Sequence, residues 1–258
     1  MPAISMLAAN FGYGLRAPST NPTAKLAIVN IDVSTSGQTI IDSNTRNLAN
    51  LNTNKSSYYY VFENGGYSES NNIQFTASTP NTNSTYAYNT VTLQNEMSGT
   101  WPETKELWIW VPSGATGNNS VIVTEQGSAS FSPSWFDSHI EIVGGVLKCG
   151  VWTGSLTSFT LAASITRDRW HHVVWRYNGT TLDGFYDGVK VTGVNTTRNK
   201  PVDYSAGLFY YLGHATATNM GGGQDFTGKI GVFRFYNSAL SDAQVVASWN
   251  ADRGRFGV

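Results

Sequence analysis

The chain has 258 residues, a length that suits one large β domain or two small ones. Charged residues make up 13% of it, and 16 basic against 17 acidic side chains leave a formal net charge of −1, which excludes the basic footprint of a nucleic-acid-binding protein. The 13% aromatic content, with 8 Trp and 13 Tyr, supplies enough apolar area for a core and excludes a disordered chain of this polarity.

The start of the chain predicts neither a secretion signal nor a membrane partner. Residues 1–5 lack a basic region followed by an apolar run, and the ~18 consecutive apolar residues that a membrane span needs occur nowhere. The single cysteine, Cys149, excludes an internal disulfide and is expected to act as a small hydrophobic residue on a strand.

Residues 1–23 are predicted to form an arm rather than a helix or strand. They mix Gly, Pro and Asn with single apolar residues and show no regular period. Their apolar side chains are too few to fold alone, and only contact with a surface can offset the cost of ordering the backbone. We therefore expect residues 1–23 to dock on neighbouring subunits of an oligomer or multi-copy assembly, and residues 24–258 to form one domain.

Short strand patterns begin after residue 24. Apolar and β-branched runs, separated by turn-forming residues, predict strands over 26–33, 58–62, 73–76, 107–111 and 121–124. Residues 138–143 and 146–152 then flank Gly144-Gly145, a two-residue loop typical of a hairpin. This region is therefore expected to be antiparallel.

The clearest local pattern is a meander of three strands over residues 170–194. Asn178-Gly179 and Asp187-Gly188 separate its apolar runs, and both dipeptides tolerate the positive φ angles of a type I′ turn. A last strand is expected over 228–236, with a bulge near Gly231 where the apolar alternation changes parity. We expect four aromatic residues of these strands to be buried between two sheets: Trp170, Trp175, Phe233 and Phe235.

One short helix is predicted after the last strand. Ser241 and Gln244 have the spacing of a capping box, and Gly254 is a plausible stop signal. Many short strands and a single helix predict an all-β sandwich or barrel rather than an α/β fold.

Two segments resemble the laminin G-like, concanavalin A-like superfamily. Trp170-His171-His172-Val173, followed by Tyr186-Asp187-Gly188, is similar to its W-x-H-V and Y-x-D/N-G segment, and residues 226–241 resemble its closing strand. Residues 105–111 fit a further strand, while the similarity before residue 100 is loose. The resemblance implies an antiparallel two-sheet jelly-roll sandwich of the concanavalin A-like type with one short C-terminal helix.

The tail at residues 250–257 resembles the N-A-x-R-G-R-F-G ending of such domains in structural proteins of tailed bacteriophages and large DNA viruses. This implies a non-catalytic virion surface structural protein, such as a capsid decoration, collar or fibre component, with a glycan-binding or adhesion role towards cell-surface glycans. A soluble carbohydrate-binding lectin module is the alternative, and a glycoside hydrolase is a more distant one.

Enzymatic activity is not expected. Glucanase relatives carry an acidic E-x-D-x-E strand because retaining hydrolysis needs two carboxyl groups about 5 to 5.5 Å apart, and this triplet is missing here. The nearest pattern is Asp137, His139 and Glu141, which would alternate on one strand face. That face suits a metal or a sugar, although a solvated outer face is the simpler interpretation.

Trp135, Asp137 and His139 are the candidate carbohydrate contacts. Trp135, Trp152 and Tyr204 suit stacking on sugar rings if they lie on rim loops, although packing in the core is the commoner fate of Trp. The neighbours His171 and His172 point to opposite faces of a strand and so cannot bind one ion together. No cofactor is expected. Calcium sites occur in some relatives, but the loops hold too many oxygen ligands to assign one.

Overall fold

The computed structural model describes residues 21–32, 60–62, 73–75, 87–89, 93, 102–115, 119–127, 136–197, 207–213 and 226–258. Its strands, in chain order, are β1 (Val29–Asp32), β2 (Tyr60–Phe62), β3 (Ile73–Phe75), β4 (Ala87–Asn89), β5 (Glu103–Trp110), β6 (Asn119–Gln126), β7 (Phe136–Val143), β8 (Val146–Trp152), β9 (Leu156–Ala162), β10 (Trp170–Tyr177), β11 (Thr181–Tyr186), β12 (Val189–Asn195), β13 (Phe209–Leu212) and β14 (Gly228–Tyr236). One α-helix, α1 (Asp242–Asp252), follows them, and short 3-10 turns cover Ala24–Leu26 and Arg253–Phe256.

The strands form two antiparallel sheets that pack face to face. Sheet A has the order β1-β14-β5-β10-β11-β12, with β3 also paired to β14, and sheet B has the order β2-β4-β13-β6-β7-β8-β9. One continuous apolar cluster draws residues from both sheets. The expected jelly-roll sandwich with a single C-terminal helix is therefore confirmed. Strands β4, β9 and β13 are additions to the strands predicted above.

Two of the three predicted hairpin turns have the expected backbone. Gly144 and Gly145 have φ of 59° and 81°, and Asp187 and Gly188 have φ of 50° and 77°, as a type I′ turn requires. The turn after β10 differs, because the amide of Asn178 donates to the carbonyl of Thr181 and only the glycine that follows it has a positive φ. That turn is centred one residue later than predicted.

The core prediction is correct for three aromatic residues and wrong for the fourth. Trp175, Phe233 and Phe235 have no exposed surface and lie in the cluster between the sheets. Trp170 instead packs on the outer face of sheet A, with its ring 4.9 Å from that of Phe256. It lies five residues before Trp175, an odd spacing that places two strand residues on opposite faces. The predicted bulge near Gly231 is confirmed by a register shift between Ile230 and Val232.

Three charged side chains are buried in the sandwich interior. The ammonium of Lys105 lies 2.8 Å from a carboxylate oxygen of Glu103 and 2.8 Å from one of Glu125, and all three side chains have 0% exposure. The same ammonium lies 3.7 Å from the ring centre of Trp175. Because an unpaired charge in this environment would be costly, the two carboxylates and the aromatic face together stabilise the lysine.

Helix α1 begins at the predicted capping box and ends at Asp252 with Arg253 as its C-cap, so that Gly254 lies directly after the C-cap, as predicted. Ser241 and Gln244 form both hydrogen bonds of the capping box. The turn over Arg253–Phe256 continues the helical path past Gly254, and it is Gly257 that adopts the left-handed conformation, with φ of 71°. Among the described residues, no helix is long and apolar enough to cross a membrane.

Candidate functional site

The outer face of sheet A is covered by helix α1 and by residues 21–27. Glu106 on β5 is the centre of a buried polar network there: it lies 2.9 Å from Nε2 of His172 and accepts hydrogen bonds from the hydroxyls of Tyr236, at 2.6 Å, and Ser248. Arg234 joins Glu106 to Asp252 at the end of the helix, at 3.2 Å and 2.8 Å. We call helix α1, residues 21–27 and this polar network together the clasp.

Charge compensation keeps the clasp acids ionised. Burial alone would raise the pKa of Glu106, but the charge of Arg234 and the hydrogen bonds from His172 and Ser248 lower it from 4.5 to about 2. Burial likewise opposes ionisation of Asp252, and the charge of Arg234 with a hydrogen bond from Asn21 nevertheless lowers its pKa. These carboxylates are therefore structural groups, each held by a positive partner and closed off from solvent.

Asn21, near the end of the predicted arm, forms hydrogen bonds with helix α1. The side-chain amide of Asn21 donates to Oγ of Ser248, at 2.7 Å, and to Asp252, at 2.8 Å, while its oxygen accepts from Thr23. Residues 21–23 of the predicted arm thus contact the sandwich. The remainder, residues 1–20, lies outside the described residues, and the arm stays a prediction.

The two adjacent histidines have separate structural roles, on opposite faces as predicted. His171 lies 2.9 Å from the carboxylate of Asp187 and 2.8 Å from the carbonyl oxygen of Thr166. The other carboxylate oxygen of Asp187 accepts from the amide of His172 at 2.9 Å. The contacts with His171 and His172 hold the side chain of Asp187 in place. Asp187 is the first of the two residues with positive φ in the turn between β11 and β12.

The candidate site lies on the outer face of sheet B. In β7 and β8, Ile140, Ile142, Cys149 and Val151 are in the core, so the residues that alternate with them face away from sheet A. We define this β7–β9 face by the cross-strand partners His139, Gly150 and Ser158, with Glu141, Lys148 and Trp152 beside them. It contains one of the three predicted carbohydrate contacts.

His139 and Glu141 are buried on this face, which corrects the interpretation of a solvated strand. Their side chains are 0% and 2% exposed, and Nε2 of His139 lies 3.2 Å from Oε1 of Glu141. The imidazole ring covers Gly150, where any Cβ would overlap it. The His139 side chain presents no surface to solvent in the structure. Its role as a sugar contact stays a prediction.

The predicted alternation of Asp137 with His139 and Glu141 is interrupted. Ser138 between them has φ of 48°, and the β6–β7 register shifts there so that Asp137 pairs with Glu125. An inserted residue reverses which face each following side chain takes. The three residues therefore do not form one regular row. Trp135 lies outside the described residues.

Trp152 is the exposed aromatic group of the β7–β9 face. Its side chain is 37% exposed at the end of β8. Among the Trp, Tyr and Phe side chains that the structure describes, it is the one that is exposed. The turn after it is tied by hydrogen bonds of Thr153: its amide donates to the carbonyl of Ser155 at 2.9 Å, and its hydroxyl lies 2.9 Å from that of Thr157. A flat apolar ring therefore lies beside fixed hydroxyl groups.

Metal ligands are not concentrated here. In the described parts of the chain, no three His, Cys, Asp or Glu side chains are placed to hold one ion together. Cys149 is fully buried in β8, as predicted, and burial raises the pKa of its thiol. Calcium binding stays a prediction.

A comparison with known protein families shows the superfamily of the chain. The model of the concanavalin A-like lectin/glucanases superfamily matches residues 83–246, more than half of the sequence. The chain belongs to this superfamily. Among curated proteins, none matches it in sequence.

Several solved structures share this superfamily fold. The binding domain of botulinum neurotoxin serotype D/C has a TM-score of 0.62 at 12% identity, over 88% of this chain and 52% of its own. A structure of botulinum neurotoxin type C, whose cell entry depends on two ganglioside molecules, gives 0.60 at 11%, over 88% and 51%. Trypanosoma rangeli sialidase in complex with sialic acid gives 0.60 at 12%, over 88% and 33%. The chain thus spans about half of the neurotoxin domains, and these likenesses concern the fold.

Proposed function

We propose that this superfamily member is a non-catalytic glycan-binding module whose ligand stacks on Trp152. The exposed indole beside the fixed hydroxyls of Thr153 and Thr157 carries the proposal, because sugar rings have an apolar face and a rim of hydroxyls. The similar neurotoxin that depends on gangliosides and the sialidase that holds sialic acid support it by analogy of fold. Trp135 and Asp137 are further proposed contacts.

We further propose that the module is displayed on the outside of a virion, in several copies, with residues 1–20 contacting other subunits. The resemblance of the tail to phage and viral structural proteins supports this location. In the structure, that tail also has a role inside the domain, since the rings of Phe256 and Trp108 stack 4.2 Å apart. Packing against Trp108 is therefore a structural role of the tail that does not depend on a particle.

Replacing Trp152 by Ala should abolish glycan binding and leave the fold intact. The exposed ring contributes little to the core, while loss of an aromatic stacking platform removes most of the affinity for a sugar. A screen of the full chain on a glycan array, followed by calorimetry with the best ligand, measures the effect.

The matched control for this experiment is Trp152→Phe, which keeps a stacking face and should retain measurable binding. Thermal unfolding of both variants should match that of the unmodified chain. If Trp152→Ala binds the ligand as well as the unmodified chain does, the site is elsewhere.

No hydrolysis of soluble β-glucans is expected. Among the described side chains of the β7–β9 face, the carboxylate is that of Glu141, which is 2% exposed and lies 3.2 Å from Nε2 of His139. A reducing-end assay at high protein concentration tests this, with Glu141→Gln as the comparison variant. Release of reducing ends that disappears in Glu141→Gln would contradict the non-catalytic assignment.

A further inference from the structure

Lys105 is a buried amine that the proposed function does not use. It lies on β5 of sheet A, two residues after Glu103 and therefore on the same strand face, while Glu125 lies on β6 of sheet B. Nζ of Lys105 is 2.8 Å from Oε1 of each glutamate, and all three side chains have 0% exposure. An amine and two carboxyl groups are therefore in contact between the two sheets.

The charges of these three groups do not balance, because two carboxylates face one ammonium. Buried ions are costly unless they are compensated, and a buried acid and base can lower that cost by exchanging a proton. Transfer of one proton from Nζ to Glu125 turns this ion pair into a neutral amine and a neutral carboxylic acid. Such a pair condenses to an amide with loss of water.

The hydrogen bond to Glu103 assigns the roles of the two acids. Nζ of Lys105 donates to Oε1 of Glu103 at 2.8 Å, so this carboxylate is positioned to accept a proton from the nitrogen. Glu125 is then the acid that is attacked. Its carboxyl carbon is bonded to the oxygen that Nζ contacts at 2.8 Å, so the carbon lies close to the ~3 to 3.5 Å from which bond formation begins.

We propose that Lys105 and Glu125 form an amide bond between their side chains, which joins sheet A covalently to sheet B. Nζ attacks the carboxyl carbon of Glu125, and Glu103 takes a proton from the nitrogen. Glu103 then passes this proton to the departing hydroxyl group, which leaves as water. The carboxylate of Glu103 is regenerated, and the reaction consumes no cofactor, oxidant or second substrate.

The surroundings of Lys105 favour the amide over the separate groups. The ring centres of Trp175 and Phe235 lie 3.7 Å and 5.3 Å from Nζ, and neither ring has exposed surface. In water, an amine and a carboxylic acid stay ionised, and the solvent drives hydrolysis of the product. Holding both groups in contact raises their effective concentration, and exclusion of water removes the competing hydrolysis.

The amide bond has a mechanical consequence for the sandwich. It closes the chain between residues 105 and 125 and restricts the unfolded state, as a disulfide does. A chain with one cysteine cannot form an internal disulfide. The amide therefore supplies a covalent reinforcement that cysteine pairing cannot give to this chain.

Intact-mass spectrometry of the full chain, with folding checked by circular dichroism, tests the proposal. We expect a mass lower than that of the sequence by one water molecule. Chymotrypsin cleaves between the two linked residues, after Trp108 and Trp110, and should release a branched peptide in which residues 105 and 125 are joined.

Three variants separate the roles of the acids. Glu103→Gln keeps the side-chain volume but removes the proton acceptor, so this variant should retain the full mass of its sequence. Glu125→Gln should form the same amide with loss of ammonia in place of water. Glu141→Gln, which changes a buried acid outside this group, is the matched control and should lose water as the unmodified chain does.

Several outcomes would overturn this proposal. A folded chain with the full mass of its sequence contains no amide bond between side chains. A loss of water that maps to another segment, such as cyclisation at Asp187-Gly188, or that persists in Glu125→Gln, excludes the link to Glu125. Complete cross-linking in Glu103→Gln would overturn the mechanism. None of these measurements involves a glycan, so the proposed function can fail independently.

Discussion

Trp175→Ala is expected to lower the free energy of unfolding by about 3 to 5 kcal/mol, the usual cost of truncating a buried aromatic residue. The upper part of this range applies, because the indole does more than fill space. Its ring covers the ammonium of Lys105, and its N–H donates to the carbonyl of Gly150 in the opposite sheet at 3.0 Å. Chemical denaturation followed by circular dichroism measures the change.

Trp170→Ala is the control for this prediction. The two variants remove the same side chain from the same strand, but Trp170 is only partly buried and lies on the outer face against Phe256. Its loss should cost clearly less than that of Trp175. An equal or larger effect at Trp170 would mean that the assignment of faces in β10 is wrong.

Arg234→Met is expected to destabilise the protein by a similar amount, about 3 to 5 kcal/mol at neutral pH. The guanidinium lies between the carboxylates of Glu106 and Asp252 with no exposed surface, so its removal leaves two buried negative charges without their common partner. Methionine keeps most of the volume, which limits the contribution of a cavity. Denaturation at neutral and acidic pH measures the loss.

The pH dependence separates lost charge compensation from lost packing. In the unmodified chain, the pKa of Glu106 is lowered from 4.5 to about 2, so the stability it contributes is complete above about pH 4.5 and is lost as the pH falls towards 2. Arg234→Met removes the charge that contributes most to lowering the pKa of Glu106. The free energy of unfolding of this variant should therefore decrease less on acidification than that of the unmodified chain. The two profiles should converge at low pH. A constant difference would indicate that packing alone is responsible.

Local patterns predicted the parts of the fold that depend on a few neighbouring residues. Asp187-Gly188 predicts its turn because few other residues tolerate two positive φ angles in succession. Ser241 and Gln244 predict the helix start because the capping box is made within four residues. Trp170 and Trp175 are five residues apart, and this odd spacing excludes a shared strand face for the two.

The features that the sequence did not predict depend on contacts distant in the chain. Lys105 looks like a surface residue, and only the packing of sheet A, which contains β5, against sheet B, which contains β6, brings Glu125 to it. Asn21 belongs to a segment without a regular sequence pattern, yet its side chain donates to Ser248 and Asp252. All strands of the sandwich lie between these partners in the sequence. In the candidate site, the bulge at Ser138 interrupts the alternation of Asp137, His139 and Glu141. The residue types in this segment do not indicate a bulge.

The single thiol of the chain makes it possible to time the opening of the sandwich without engineering a probe. Cys149 lies in β8 between Ile140 on one neighbouring strand and Phe159 on the other, with no exposed surface. A thiol reagent can modify it only after this part of sheet B opens, because access and thiolate formation both require water at the sulfur. Labelling rates in the absence of denaturant therefore report how often β7, β8 and β9 separate, directly beneath the surface that carries Trp152.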